Sequence, residues 1–216
     1  MGKNKVFIIF VSIFLFLAFL SFPTFSANED LTPQKEIKRL VSQVLNVLKD
    51  PKLKGEDKKL IRREKLRALV QQLFNLDNIS KRVLGRYSRK FNKRQFEEFK
   101  QLFSKLLESI YLTKIENYSG EKVIFQEQRI LSANKVAVPT KIIKNDTEIP
   151  VEYRLIKKDG KWIGYDVVIE GVSLVKNYRS QFYQVLKKKS VDELLEIMRD
   201  KVKHLSSENP KQNKKS

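Results

Sequence analysis

Gly164–Phe182 reads GYDVVIEGVSLVKNYRSQF, and the fold is decided where its period changes. Tyr165, Val167 and Ile169 alternate along one side of a strand, Val168 opposes them, and Trp162 and Ile163 extend the run backward. Glu170-Gly171 then turns the chain. Beyond it, Leu174, Val175, Tyr178, Phe182, Val185 and Leu186 recur at helical spacing, with Ser173 placed as N-cap. A strand apolar on both faces has to be covered on both sides, so helices are expected to pack against the sheet it belongs to. Yet this apolar and aromatic surface has almost nothing reactive beside it.

Upstream the period is 2 as far back as Val123 and Phe125. Val136, Val138, Thr140 and Ile142 alternate with polar or small neighbours, as do Val151, Tyr153 and Leu155, and Asp159-Gly160 is a hairpin turn. Before Tyr118-Ser119-Gly120 the period is 3.6. Thr32-Pro33 opens a helix bearing Ile37, Leu40, Val41, Val44, Leu45 and Leu48, and Gly55-Glu56-Asp57 opens a second. A shorter piece runs from Asp77 to about Arg86. Asn92 and Gln95 form a capping box for a long helix whose apolar stripe, Phe96 to Ile115, is read as unbroken. After the 164–182 unit, Ser190 and Glu193 cap a last helix bearing Leu194, Leu195, Met198 and Val202, and residues 206–216 are read as a disordered basic tail. The expectation is one α+β domain over residues 27–205, with helices packed on one face of a short antiparallel sheet.

Composition narrows the function classes. The formal charge is +19 over 216 residues, with no cysteine and one histidine. Lys3 and Lys5 precede an apolar run from Val6 to Leu20, Pro23 breaks it, and Thr24 and Ser26 supply small residues for a cut after Ser26. This is the layout of a signal peptide, residues 1–26; the run is short of the ~20 residues that a bilayer core requires. Cleavage would remove two lysines from +19 and leave +17 on an exported domain. Export argues against nucleic acid as the partner of this charge. Without cysteine there is neither a disulfide framework nor a thiolate metal site.

The search for catalytic chemistry returns little. His204 stands alone among lysines near the end of the last helix, so no Ser-His or Cys-His couple exists. Gly171-Val172-Ser173 lacks the second glycine of a nucleophile elbow. Asp166 and Glu170 could pair as acid and base; alternatively Asp166 accepts hydrogen bonds from a neighbouring turn or from Arg179. LGRYSRKFNKRQF, residues 84–96, interleaves basic and aromatic residues in the manner of a nucleic-acid surface, a solvated helix end, or a contact with an anionic membrane or an acidic protein.

Leu84-Gly85-Arg86-Tyr87, Tyr118 to Val123, Pro150 to Leu155, Trp162 to Val168 and, above all, Glu170 to Phe182 resemble the MlaC family, also known as the toluene-tolerance auxiliary component of an ABC transporter. The resemblance runs from about residue 35 to 202. It implies a variant of the NTF2-like fold with a curved sheet and an internal apolar cavity, and a non-enzymatic periplasmic phospholipid carrier. Its partners would be an inner-membrane ABC transporter complex with an MCE domain and an outer-membrane lipoprotein–porin complex, with transient membrane-surface contact. No cofactor or metal is implied beyond phospholipid as cargo. The lining residues expected on this basis are Phe103, Leu107, Ile110, Tyr111, Val138, Val151, Tyr153, Leu155, Tyr165, Val167, Ile169, Val172, Leu174, Tyr178 and Phe182, with the long helix facing the sheet. The alternatives are an exported NTF2-like enzyme acting on an apolar substrate through Asp166, and an exported binding module without lipid.

Overall fold

A computed structural model describes residues 32–212; the expected signal peptide lies outside them, as do residues 213–216. Helix α1 (Pro33–Lys49) begins where the Thr32 side chain accepts the Lys35 N–H and Pro33 fills the first helical position. A 3₁₀ turn (Pro51–Leu53) leads to α2 (Lys59–Leu73), then to α3 (Leu76–Leu84), capped by Asn75. A second 3₁₀ segment, Gly85–Lys90, joins α3 to α4 (Lys93–Leu107). Asn92 and Gln95 form the expected capping box there, each side chain bonded to the other's backbone N–H.

The long apolar stripe is not continuous. A π-helical turn, Glu108–Leu112, follows α4, and only then does the chain resume α-geometry over Thr113–Glu116. An added residue rotates the downstream helix by about 100°. Leu112 is therefore buried while Ile115 reaches the surface.

The sheet comprises β1 (Lys122–Phe125), β2 (Arg129–Ser132), β3 (Lys135–Lys144), β4 (Thr147–Lys158), β5 (Lys161–Ile169) and β6 (Val172–Ser173). Every pairing is antiparallel, in the order β1-β3-β4-β5-β6, with β2 also on β3. Strand β2 is wholly exposed and has no alternating pattern that would announce it. Two-residue turns at Asn145-Asp146 and Asp159-Gly160, all four at positive φ, close the central hairpins.

Register sorts the side chains. Val136, Val138 and Thr140 of β3 lie opposite Leu155, Tyr153 and Val151 of β4, and Tyr153 and Val151 lie opposite Val167 and Ile169 of β5. This face meets α1 and α2, where Ile37, Leu40 and Leu73 are buried with Val136, Val138 and Leu155. Gly164 makes that contact possible. A Cβ there would come within 2.3 Å of the Phe74 ring, which lies at the end of α2. The long helix, expected over this face, lies elsewhere. Helices α3, α4, α5 (Leu174–Leu186) and α6 (Val191–Gln212) bury a second cluster among themselves, centred on Phe99, Phe103, Tyr178, Phe182 and Leu194, with α3 and α5 against β5. The architecture is α+β, helices on a curved, open antiparallel sheet.

Two further expectations need correction. Arg154 pairs with Asp166 but Leu155 with Gly164, so Tyr165 is an extra, bulged residue. It therefore leaves the face of Val167 and Ile169. Its ring lies 4.9 Å from the Arg82 guanidinium and 5.8 Å from the Lys135 ammonium, and Lys135 is on the opposite side of β3 from Val136. The tail read as disordered from Ser206 continues as helix α6 to Gln212. Loss of apolar residues does not itself end a helix. Leu205 still packs on the helical cluster, and the Ser206 hydroxyl donates to the Val202 carbonyl at 2.8 Å.

Candidate functional site

Asp166 is the one deeply buried carboxylate of the sheet, and its partners define its task. The Ser173 hydroxyl donates to it at 2.6 Å, the Val175 N–H at 3.1 Å and the Arg154 guanidinium at 3.5 Å. Ser173 in turn accepts the Lys176 N–H, capping α5. A carboxylate set against the free N–H groups of a helix start is stabilised there. Asp166 thus fastens the first turn of α5 to β5. Arg179, considered as its partner, instead donates to the Arg82 carbonyl at 2.9 Å and ties α5 to α3. Glu170, at positive φ, is an exposed turn residue. Among the described residues no group of histidine, aspartate and glutamate is arranged to hold a metal ion.

The expected lining residues fall into two sets. Val138, Val151, Tyr153, Leu155, Val167 and Ile169 share one face of the sheet, Val138 and Leu155 at 0% exposure in the cluster closed by α1 and α2. Phe103, Tyr178 and Phe182 are in the helical cluster, with rings 5.2–6.0 Å apart in edge and stacked contacts, and Leu107, Ile110 and Tyr111 pack against it. Neither cluster joins the two sets. Leu174 is half-buried at the start of α5. Val172 is 53% exposed on the edge strand β6, where it pairs with Ile169. The residues that sequence reasoning missed are those of α1 and α2 on the sheet face. Their stripe was legible, but its destination was not.

Both sets end in half-buried apolar side chains: Leu107, Ile110 and Tyr111 on the helical side, Tyr153, Val167 and Ile169 on the sheet side. Their polar handles are few and desolvated. Burial pushes the Tyr153 hydroxyl up to about 12, offset in part by its hydrogen bond to Thr140. Burial likewise raises Tyr178, and its hydrogen-bonded neighbour Tyr111 adds to the shift; burial also raises Tyr111. All three are neutral hydroxyls at physiological pH. These side chains offer an apolar surface bearing three neutral hydroxyls.

The MlaC protein family model matches residues 38–200. The intermembrane phospholipid transport system binding protein MlaC of Haemophilus influenzae is 29% identical over 57% of this chain and 60% of its own length. A toluene tolerance protein of Pseudomonas putida is 23% identical over 74% of this chain and 76% of its own. The structure of a phospholipid-binding protein from Ralstonia solanacearum, in complex with a phospholipid, superposes with a TM-score of 0.71 at 24% identity, covering 80% of this chain and 98% of that one. With a match over most of its length, the chain belongs to the MlaC family.

Proposed function

We propose that this protein is a periplasmic phospholipid carrier, exported by residues 1–26 and holding acyl chains between the sheet face and the helical cluster. The observation that carries the reading is the family membership, together with two sets of half-buried apolar side chains, Leu107, Ile110 and Tyr111 on the helical side and Tyr153, Val167 and Ile169 on the sheet side. The relatives named for phospholipid transport and for phospholipid binding support the same cargo. Energetics favour enclosure over a surface groove. At ~0.8 kcal/mol per CH₂, a lipid of about 30 methylenes exposes on the order of 24 kcal/mol in water, which only near-complete burial offsets. The carrier would exchange lipid with an inner-membrane MCE-domain ABC transporter and an outer-membrane lipoprotein–porin complex. Mass spectrometry of organic extracts of the purified protein tests the reading: phospholipid in near-stoichiometric amount supports it, and lipid-free protein from cells opposes it. The enzyme alternative has no comparable support, since Asp166 is occupied in capping α5.

A further inference from the structure

We propose that the end of the helical cluster formed by residues 84–96 is a docking face for an acidic segment of a partner protein. Most arginines of the fold are matched to acids. Arg62 and Arg63 meet Glu116, Arg67 meets Glu108, Arg154 meets Glu152 and Asp166, and Arg199 meets Glu98. The segment Arg86–Arg94, RYSRKFNKR, has five cations and no acid. Among the described residues Arg86, Arg89, Lys90, Lys93 and Arg94 form no ion pair, and all five are exposed. A block of uncompensated charge is thus gathered at one place.

That place is anchored to α5 and shallowly hollowed. Tyr183 accepts the Arg86 N–H at 3.1 Å and occupies the space a side chain at Gly85 would need, which fixes the 3₁₀ segment on α5. Arg86 lies over the rings of Tyr87 and Tyr183, and Lys90 over Tyr87. A shallow hollow beside them is lined by Lys81, Arg89 and Lys93 with Phe91 and Phe96, while a second one shares Lys93, adds Arg94 and is otherwise lined by Glu97, Glu98 and Gln101. The Lys187–Lys189 turn follows Tyr183 on α5, and the Gln95 amide donates to Asp192 at the start of α6 at 2.8 Å.

The chemistry selects the occupant. A bilayer is gripped by apolar side chains inserted below the headgroups, and none of the exposed large apolar residues lies within 84–96. A shallow hollow with Lys81, Arg89 and Lys93 around Phe91 and Phe96 suits a narrow, acidic chain, whose carboxylates would meet these cations. Lys93 is roughly 20 Å along α4 from Leu107, so a partner bound here leaves the lipid fringe open. The inference rests on the carrier reading only in that a carrier must dock, and the two are measured separately.

The test compares two triple variants of the full exported protein with wild type: Arg89→Glu, Lys93→Glu, Arg94→Glu in the face, and Lys161→Glu, Lys201→Glu, Lys203→Glu as a charge-matched control on exposed residues elsewhere. Binding of a short labelled polyglutamate peptide is followed by fluorescence anisotropy, and phosphatidylcholine–phosphatidylglycerol vesicles are assayed by sedimentation. The face variant is expected to bind the peptide at least about tenfold more weakly, the control within about threefold of wild type, and the face variant's extracted phospholipid is expected to be unchanged. Equal losses in the two variants would overturn the proposal. So would wild-type protein that ignores the peptide but sediments with vesicles through these residues, or a face variant that loses its lipid.

Discussion

Gly164 has no side chain because Phe74 occupies the space where one would go. Gly164→Ala is expected to destabilise by about 2 kcal/mol through overpacking, seen as a lower urea midpoint with unchanged m-value. Asp166 works by position as well. Asp166→Ala removes the acceptor of the Ser173 hydroxyl and the Val175 N–H, at a cost of about 2 kcal/mol. Asp166→Asn should retain lipid in proportion to the folded fraction. Glu121 provides a pH signature. Burial raises its pKa, but the Lys144 ammonium at 2.7 Å, the Glu121 and Ser119 N–H groups and the Ser119 hydroxyl outweigh that and hold it at about 2. A carboxylate depressed in the folded state stabilises above its unfolded pKa, ~4.3, and loses that contribution as pH falls toward the folded value. The stability difference between wild type and Glu121→Gln should therefore be full at pH 7, shrink below about pH 4.5 and vanish near pH 2; a difference independent of pH would remove the assigned role.

At the scale of elements, the features legible in the sequence were those settled locally. Thr32, Asn92 with Gln95, Ser173 and Ser190 cap helices where neighbouring residues alone require it. Asp159-Gly160 turns a hairpin for the same reason. Features set by a partner were not legible. The bulge at Tyr165 depends on how β4 registers against β5, and a strict alternation put Tyr165 on the wrong face. The π-helical turn leaves the spacing of apolar residues almost intact, so the stripe reads as continuous. Which helices cover the sheet was equally hidden, because the stripes of α1 and α4 are both apolar and nothing in either names its destination. For the candidate site, residue types were legible but their grouping was not. Two substitutions separate closed core from lipid-facing surface. Leu155, fully buried in the cluster with α1 and α2, is expected to abolish folding as Leu155→Arg, by burying an unpaired charge at several kcal/mol. Val167, half-buried opposite Tyr153, should accept tryptophan and remain folded, as circular dichroism and thermal melting would report.

Among the described residues the interior is largely apolar and the exterior strongly basic, and the proposed carrier needs both. The +17 that remains once Lys3 and Lys5 leave with residues 1–26 would speed encounters with acidic partners over a Debye length of ~8 Å at physiological salt without touching the cargo. Raising the salt should slow association with the transporter, in stopped-flow or surface-binding kinetics, while bound phospholipid stays in place. Salt-independent association would remove the role assigned to the charge. The central claim concerns the interior. Phospholipid extracted from purified wild-type protein and from Val167→Trp, quantified by mass spectrometry on samples shown to be equally folded, addresses it most directly. The account predicts near-stoichiometric phospholipid with wild type and a sharp reduction with the tryptophan variant. A folded Val167→Trp protein carrying the wild-type amount of lipid would contradict it.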